Sequence, residues 1–333
     1  MASFKFKDVY INKFYSIAGK YENNGILTNV NRYLKDFYDG EKTIEDSEIK
    51  MQKEVLDNLI NPKTEIIVGG DLMNQNTATS SSVSNNNISF MDVYSACATF
   101  NESLIILSNF ISSKNLKEGI CITSSHNLNS EKQFRFPIEY GAQKPIYSTF
   151  TTTGSVGCVI SKYPSNIRIV SGTVGSVVDM GIKDANNMGA VMAPAAAKTL
   201  MDHVKKYNIN LKDYDVILTG DLGSYGEELF KIILKKDYGI SLKNYMDAGA
   251  MIYKKDQEKY SGGSGPVCLP LILFNNILQN KKYKKIIFIA TGSLHSPMLV
   301  NQKHSIPSIA HLVELEVLWQ YFIHFYSAVL YVW

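Results

Sequence analysis

The stretch Val93 to Phe100 sets a cysteine, Cys97, between a polar run and an apolar-periodic one in which Phe100, Leu104, Leu107 and Ile111 recur at three- and four-residue steps. That spacing predicts a helix beginning beside the sulfur, and the free N–H groups and dipole of a helix start favour a thiolate. The chemistry to look for is nucleophilic, and a nucleophile needs a base and donors for the oxyanion it creates. The chain has six histidines, none of them between 204 and 294. His126 and His295 each follow a strand-like run, and each reads either as a hydrogen-bonding cleft or core histidine or as a general base.

These residues must be positioned by an α/β framework, because buried strand-like runs alternate with amphipathic helical ones from end to end. Thr64-Glu-Ile-Ile-Val-Gly-Gly-Asp-Leu and Tyr214-Asp-Val-Ile-Leu-Thr-Gly-Asp-Leu repeat one pattern about 150 residues apart, which makes Asp71 and Asp221 repeat equivalents and points to an internal duplication. As equivalents both are expected to cap the turn or helix that follows; the sharper alternative turns Asp221 into the cleft. Residues 76–87, rich in Ser, Thr and Asn, read as an exposed loop. The expected division is a first half over 1–163 carrying Cys97, a second half over 164–315 and an atypical apolar tail over 316–333.

A chain of 333 residues with 45% hydrophobic and 20% charged content is an ordinary globular protein with material for about two domains. Its net charge of +3, without long basic runs, argues against nucleic acid as partner. The dense cluster Lys281, Lys282, Lys284 and Lys285 reads as a solvated loop before a buried strand, with a phosphate or membrane-surface patch as the alternative. Cys97, Cys121, Cys158 and Cys268 form no C-x-x-C pair and fit a reducing compartment. Met1 to Asp8 has no apolar signal core, and no run reaches the roughly 18 apolar residues of a spanning helix. The aromatic tail admits three readings: a last strand or helix on the core, an interfacial membrane contact, or a frame-shifted ending. No EF-hand spacing, His cluster or P-loop is present, so no dedicated metal site or nucleotide loop is expected.

The duplicated halves, the cysteine at a buried helix and the Ser261-Gly-Gly-Ser-Gly265 turn resemble the thiolase fold, and more closely its ketoacyl synthase III branch. Within that superfamily the chain resembles the stage V sporulation protein AD family, which binds dipicolinic acid in endospore formers. The resemblance rests on Gly70-Asp-Leu-Met-Asn-Gln75, Thr123-Ser-Ser-His-Asn127, Gln133-Phe-Arg-Phe-Pro-Ile-Glu-Tyr-Gly-Ala-Gln-Lys-Pro145, Asn187-Met-Gly-Ala-Val-Met-Ala-Pro-Ala-Ala-Ala197, Leu218-Thr-Gly-Asp-Leu222 and Ala290-Thr-Gly-Ser-Leu-His-Ser-Pro297. It spans about residues 8–313. Two features depart from it: His295 stands where the family has an apolar residue, and the tail after Leu315 is unlike the family's ending.

The resemblance implies a five-layered α-β-α-β-α arrangement of two α-β-α halves. It also implies that the His and Asn of the condensing branch fall on Gly220 and Gly263, so that Cys97 is a relic nucleophile and no catalytic set remains. Two glycines in place of bulky side chains are expected to open volume in the cleft for a small planar dianion. Cys97, His126, Arg135, Tyr140, Asp221, Gly263, Ser264 and His295 are the expected ligand-binding residues, with Arg135 as carboxylate partner and Phe134, Phe136 and Tyr140 as an aromatic wall. The other reading of Arg135 is a structural ion pair with Glu131 or Glu139. No cofactor is implied beyond the ligand dipicolinic acid, alone or with Ca2+ at Asp221. The implied partners are membrane proteins of the stage V sporulation A system and a second copy of the chain, at the forespore or spore inner membrane. Acyl transfer through Cys97 with His126 or His295 as base, and a purely structural scaffold, are the competing functions.

Overall fold

The computed structural model describes residues 1–135 and 143–318. Their strands are β1 (Ala2–Lys5), β2 (Tyr10–Ala18), β3 (Arg32–Tyr33), β4 (Ile66–Gly70), β5 (Ser89–Asp92), β6 (Glu118–Ser125), β7 (Phe150–Thr151), β8 (Gly154–Ser161), β9 (Ile167–Val174), β10 (Val216–Thr219), β11 (Tyr245–Asp247), β12 (Gly263–Ser264), β13 (Lys285–Ser293) and β14 (Ser308–Val317). The helices are α1 (Lys20–Asn23), α2 (Ile44–Leu59), α3 (Thr77–Val83), α4 (Thr99–Ser112), α5 (Asn127–Phe134), α6 (Met188–Tyr207), α7 (Gly223–Tyr238), α8 (Ala248–Ile252), α9 (Cys268–Ile272) and α10 (Pro297–Asn301).

The main sheet runs β11-β10-β13-β14-β9-β2-β8-β6-β4-β5. From either edge the pairing is parallel, parallel, antiparallel, antiparallel, until β9 meets β2 at the centre. The two halves are therefore built alike, with β4 and β10 in corresponding places, and the order changes over in the 162–166 connection. The repeated sequence pattern around Asp71 and Asp221 is the trace of this duplication.

Alternation along the strands places the layers. On β13, Ile286 and Phe288 face a central core shared by both halves, while Ile287 and Ile289 face the second half's outer helices. The central core holds α4, through Phe100, Leu104, Leu107 and Ile111, and α9 with the π-helical turn Leu273–Ile277 that extends it. There Phe274 stacks on Phe14 with centroids 4.8 Å apart and meets Phe100 edge-on at 6.0 Å. Helix α2 covers the first half-sheet through Met51, Val55 and Leu56, and α6 and α7 cover the second through Leu200, Phe230 and Leu234. Helix, sheet, central helices, sheet and helix make five layers. Each large apolar side chain so buried contributes about 1.5–3 kcal/mol relative to exposure.

Two expectations are corrected here. Residues 77–83 form α3 and are not an exposed loop: Ala78, Thr79, Ser82 and Val83 are buried. The polar side chains are satisfied internally, Gln52 Nε2 donating to Thr79 Oγ1 at 2.9 Å and Ser82 Oγ to Gln52 Oε1 at 3.1 Å, so composition alone misread them. Strand β14 also runs past Leu315. Glu316 and Val317 pair with Arg168 and Ile167, and Leu318 N–H donates to Asn166 O at 2.7 Å. The remainder of the tail lies outside the described residues.

Candidate functional site

The loops at the C-terminal ends of β4, β6, β10 and β13 converge on Cys97. Ser95 N–H donates to Thr99 Oγ1 at 3.1 Å, and that hydroxyl donates to Ala96 O at 2.7 Å. This tight turn holds Ala96 at φ 51°, in the left-handed region that β-carbons disfavour, and delivers Cys97 two residues ahead of α4. The cysteine keeps part of its surface open to a cavity and is enclosed by protein on its other sides.

The expected thiolate is not what the surroundings favour. Burial pushes the Cys97 thiol well above its ordinary value, and the neighbouring Asp221 carboxyl, hydrogen-bonded to it, pushes in the same direction; the Gly265 N–H opposes them. Asp221 is itself 1% exposed, and burial raises it to about 7 against favourable hydrogen bonds from Thr291 Oγ1 and Cys97. Gly265 N–H completes the set at 3.3 Å from Asp221 Oδ2. Gly265 has φ +99°, and a β-carbon there would come within 2.9 Å of Ser125 Oγ, so only glycine brings this amide so close.

Asp71 and Asp221 part company despite their equivalence. Asp71 caps as expected, accepting from Met73 N–H at 2.8 Å and Thr79 N–H at 2.7 Å. In the second half Asp247 takes the capping work, accepting from Leu222, Gly223 and Ala250 N–H at 3.1, 2.9 and 2.8 Å. Asp221 is thereby freed to face Cys97.

The cavity is narrow, with a volume of about 50 Å3, below the roughly 300–1,000 Å3 of ordinary small-molecule sites. Cys97, Ala96, Ser264 and Gly265 line it from the centre, and Ser130, Glu131, Phe134 and Arg135 from α5 and its end. Ser293 and His295 follow β13, and Leu72, Tyr94, Met188 and Met192 supply apolar wall. Among the described residues, Ser130 Oγ, Ser293 Oγ and His295 Nδ1 are buried without a hydrogen-bond partner. All three belong to residues that line the cavity. Burial lowers His295 to about 4, with the Arg135 charge adding to it, so its imidazole is neutral at pH 7; its ring lies 5.4 Å from that of Phe134.

Arg135 meets both of its readings. Nη1 donates to Glu131 Oε1 at 2.8 Å, an ion pair also joined by Lys144 Nζ at 2.6 Å, and the side chain still borders the cavity. Tyr140 and Phe136 lie outside the described residues. His126 does not reach the cavity: it is buried, with Nε2 2.8 Å from Phe37 O and its ring edge-on to that of Phe37 at 5.5 Å. Gly263 is likewise behind the wall, and the two glycines do not enlarge the cleft. A β-carbon at Gly263 would lie 2.5 Å from Ile252 Cγ2 and 2.9 Å from Thr152 Oγ1; at Gly220 it would rest 3.5 Å from the β13 backbone. A β-carbon is thus excluded at Gly263, whereas at Gly220 it would make ordinary contact. Among the described residues no group of three His, Cys, Asp or Glu could hold a metal ion.

Sequence reasoning missed Ser130, Ser293 and Asp247. Ser293 carried a signal only by lying within the quoted stretch beside His295, Ser130 falls between two quoted stretches, and Asp247 carried none.

The layered duplicate with its cysteine cleft is a thiolase-like protein. A variant of OleA from Xanthomonas campestris superposes with a TM-score of 0.61 at 13% identity, covering 94% of this chain and 99% of that one. The 3-oxoacyl-(acyl carrier protein) synthase III of Xanthomonas oryzae pv. oryzae gives 0.59 at 14% identity, covering 94% and 100%. At that identity the likeness establishes the fold alone. A family model for Stage V sporulation protein AD matches residues 2–316. The Stage V sporulation protein AD of Bacillus subtilis (strain 168) is 37% identical over 319 residues, covering 92% of this chain and 94% of that protein. The chain belongs to the Stage V sporulation protein AD family, and its role lies in sporulation. No helix among the described residues is long and apolar enough to cross a membrane.

Proposed function

We propose that the chain is a non-catalytic binder of dipicolinic acid, or its calcium chelate, which serves uptake of that ligand into the developing spore and its release on germination. It does so as a peripheral protein of the forespore or spore inner membrane, working as a homodimer with membrane proteins of the stage V sporulation A system. The observation that carries the reading is the cavity at Cys97, where Arg135 and three unpartnered polar atoms meet an apolar wall while the thiol is held protonated beside Asp221. A dicarboxylate supplies acceptors for Arg135 and the serine hydroxyls, and its ring suits Phe134 and the methionines. An acyl-transfer reading would need an ionised thiol, and burial with a neighbouring carboxyl works against that.

The test is calorimetric titration of dipicolinic acid into the protein and its Cys97→Ala and Arg135→Ala variants, with pyridine-2-carboxylate as control. Saturable binding, at least tenfold weaker in Arg135→Ala and for the monocarboxylate, supports the reading. Absence of binding together with stoichiometric acylation of Cys97 by an acyl-CoA would replace it with the transferase.

A further inference from the structure

The cavity occupies one end of the sheet, and the opposite end is built quite differently. Ser293 in the cavity wall and Lys285 are the two ends of β13, about 25 Å apart at ~3.3 Å per strand residue. Seven connections gather at the Lys285 end: residues 6–9, 60–65, 113–118, 162–168, 208–215, 239–244 and 278–285. Hydrogen bonds hold neighbours among them together, Lys162 N–H to Lys117 O at 3.0 Å, Asp215 N–H to Lys285 O at 2.9 Å and Val317 N–H to Lys284 O at 2.7 Å. With Glu316, which pairs with Arg168, they carry 12 Lys and Arg against 6 Asp and Glu, although the whole chain has a net charge of only +3, so the rest of the molecule is net negative.

The carboxylates at this pole are held by other groups and offset only part of its positive charge. Glu65 is occupied by the N–H groups of Lys117 and Glu118, Asp215 by those of Lys284 and Lys285, and Glu118 by Asn61 Nδ2. Glu316 pairs with Arg168, and Asp8 and Asp213 complete the set. Among the described residues no ion pair involves Lys114, Lys117, Lys162, Lys281, Lys282, Lys284 or Lys285, all of them exposed. Exposed Tyr163 stands among them, with Lys63 Nζ 4.9 Å and Lys162 Nζ 5.7 Å from its ring centroid. The chain leaves β14 here at Leu318, and the 15 residues that follow contain 12 apolar or aromatic side chains and no Lys, Arg, Asp or Glu.

We propose that this lysine pole is the face by which the protein docks on an anionic lipid surface, leaving the cavity at the opposite pole directed away from the bilayer. Clustered lysines are drawn to acidic headgroups. The gathering of lysines from connections far apart in the chain is what turns a solvated loop into a charged face. The inference deepens the peripheral-membrane part of the proposed function and does not depend on what the cavity binds.

The test is sedimentation of the full chain with vesicles of phosphatidylcholine alone or with phosphatidylglycerol, across a salt series. The comparison is with a variant combining Lys281→Gln, Lys282→Gln, Lys284→Gln and Lys285→Gln, and with one combining Lys114→Gln, Lys117→Gln and Lys162→Gln. Expected are binding to the phosphatidylglycerol vesicles that weakens as salt rises, and at least tenfold weaker partition for the quadruple variant, with dipicolinic acid binding in solution unchanged. A chain ending at Leu318 should keep the salt-sensitive part of the binding. Equal binding to both vesicles, full binding by both lysine variants, or complete loss in the chain ending at Leu318 would overturn the inference. Binding to heparin but not to the acidic vesicles would overturn it in favour of a soluble polyanion. A loss of dipicolinic acid binding by the wild-type chain with vesicle binding intact would sink the ligand reading alone.

Discussion

Asp221→Asn is the substitution whose effect follows most directly from the cleft. The carboxyl is buried against Cys97, Thr291 and the Gly265 amide, and burial raises it from 3.8 to about 7. A raised folded-state value means that the folded protein binds a proton here that the unfolded chain has released between pH 3.8 and 7. Stability from this group is thus fully present below about pH 3.8, is lost as pH rises towards 7, and levels off above it. A difference of about three pH units corresponds to roughly 4 kcal/mol, each unit being about 1.4 kcal/mol. Asparagine has the same shape: its oxygen accepts from Gly265 and its amide donates to Thr291, with no charge to bury. The expected outcome is a variant about as stable as the parent at pH 4.5 and roughly 2–4 kcal/mol more stable at pH 8, the lower figure allowing for imperfect hydrogen bonds. Urea unfolding of both proteins at half-unit pH steps measures the difference curve. A constant offset between pH 4.5 and 8 would refute the reasoning, because it would mean that Asp221 does not titrate between those limits.

Cys97 should react slowly with iodoacetamide at pH 7 and faster with each rise in pH, and Asp221→Asn should raise its rate at neutral pH by removing the opposing carboxylate; mass spectrometry of the labelled chain follows both. Gly263→Asn, which places an amide where the resemblance expects a lost one, should cost about 1–3 kcal/mol in unfolding experiments by overpacking against Ile252 and Thr152, without generating acyl transfer from acyl-CoA. Ending the chain at Leu315 removes buried Val317 and the Glu316 pairing to Arg168, for an expected loss of about 1.5–3 kcal/mol, whereas ending it at Leu318 should leave the melting temperature within about 2 °C of the full chain.

Much of the fold was legible because it is written in local patterns. The repeated strand at 64–72 and 214–222 marked the duplication, and the steps of Phe100, Leu104, Leu107 and Ile111 marked the central helix that both half-sheets cover. The polar helix α3 was not legible, since its Thr and Ser side chains are satisfied by Gln52 and Asp71, partners brought from elsewhere in the chain. At the site, Cys97, Arg135, Ser264 and His295 do line the cavity, while His126 and Gly263 stand behind it. Asp221 touches the thiol without bordering the open space.

By itself the sequence determined that this is a duplicated α/β chain with a cysteine just before its first central helix. Only the tertiary structure decided that the thiol is held protonated, because that depends on Asp221, buried and arriving from a strand more than a hundred residues away, and on the protein enclosing most of the cysteine. It also decided that Gly220 and Gly263 enlarge nothing. The space a missing side chain leaves belongs to whatever packs nearest, and at Gly263 Ile252 and Thr152 fill it.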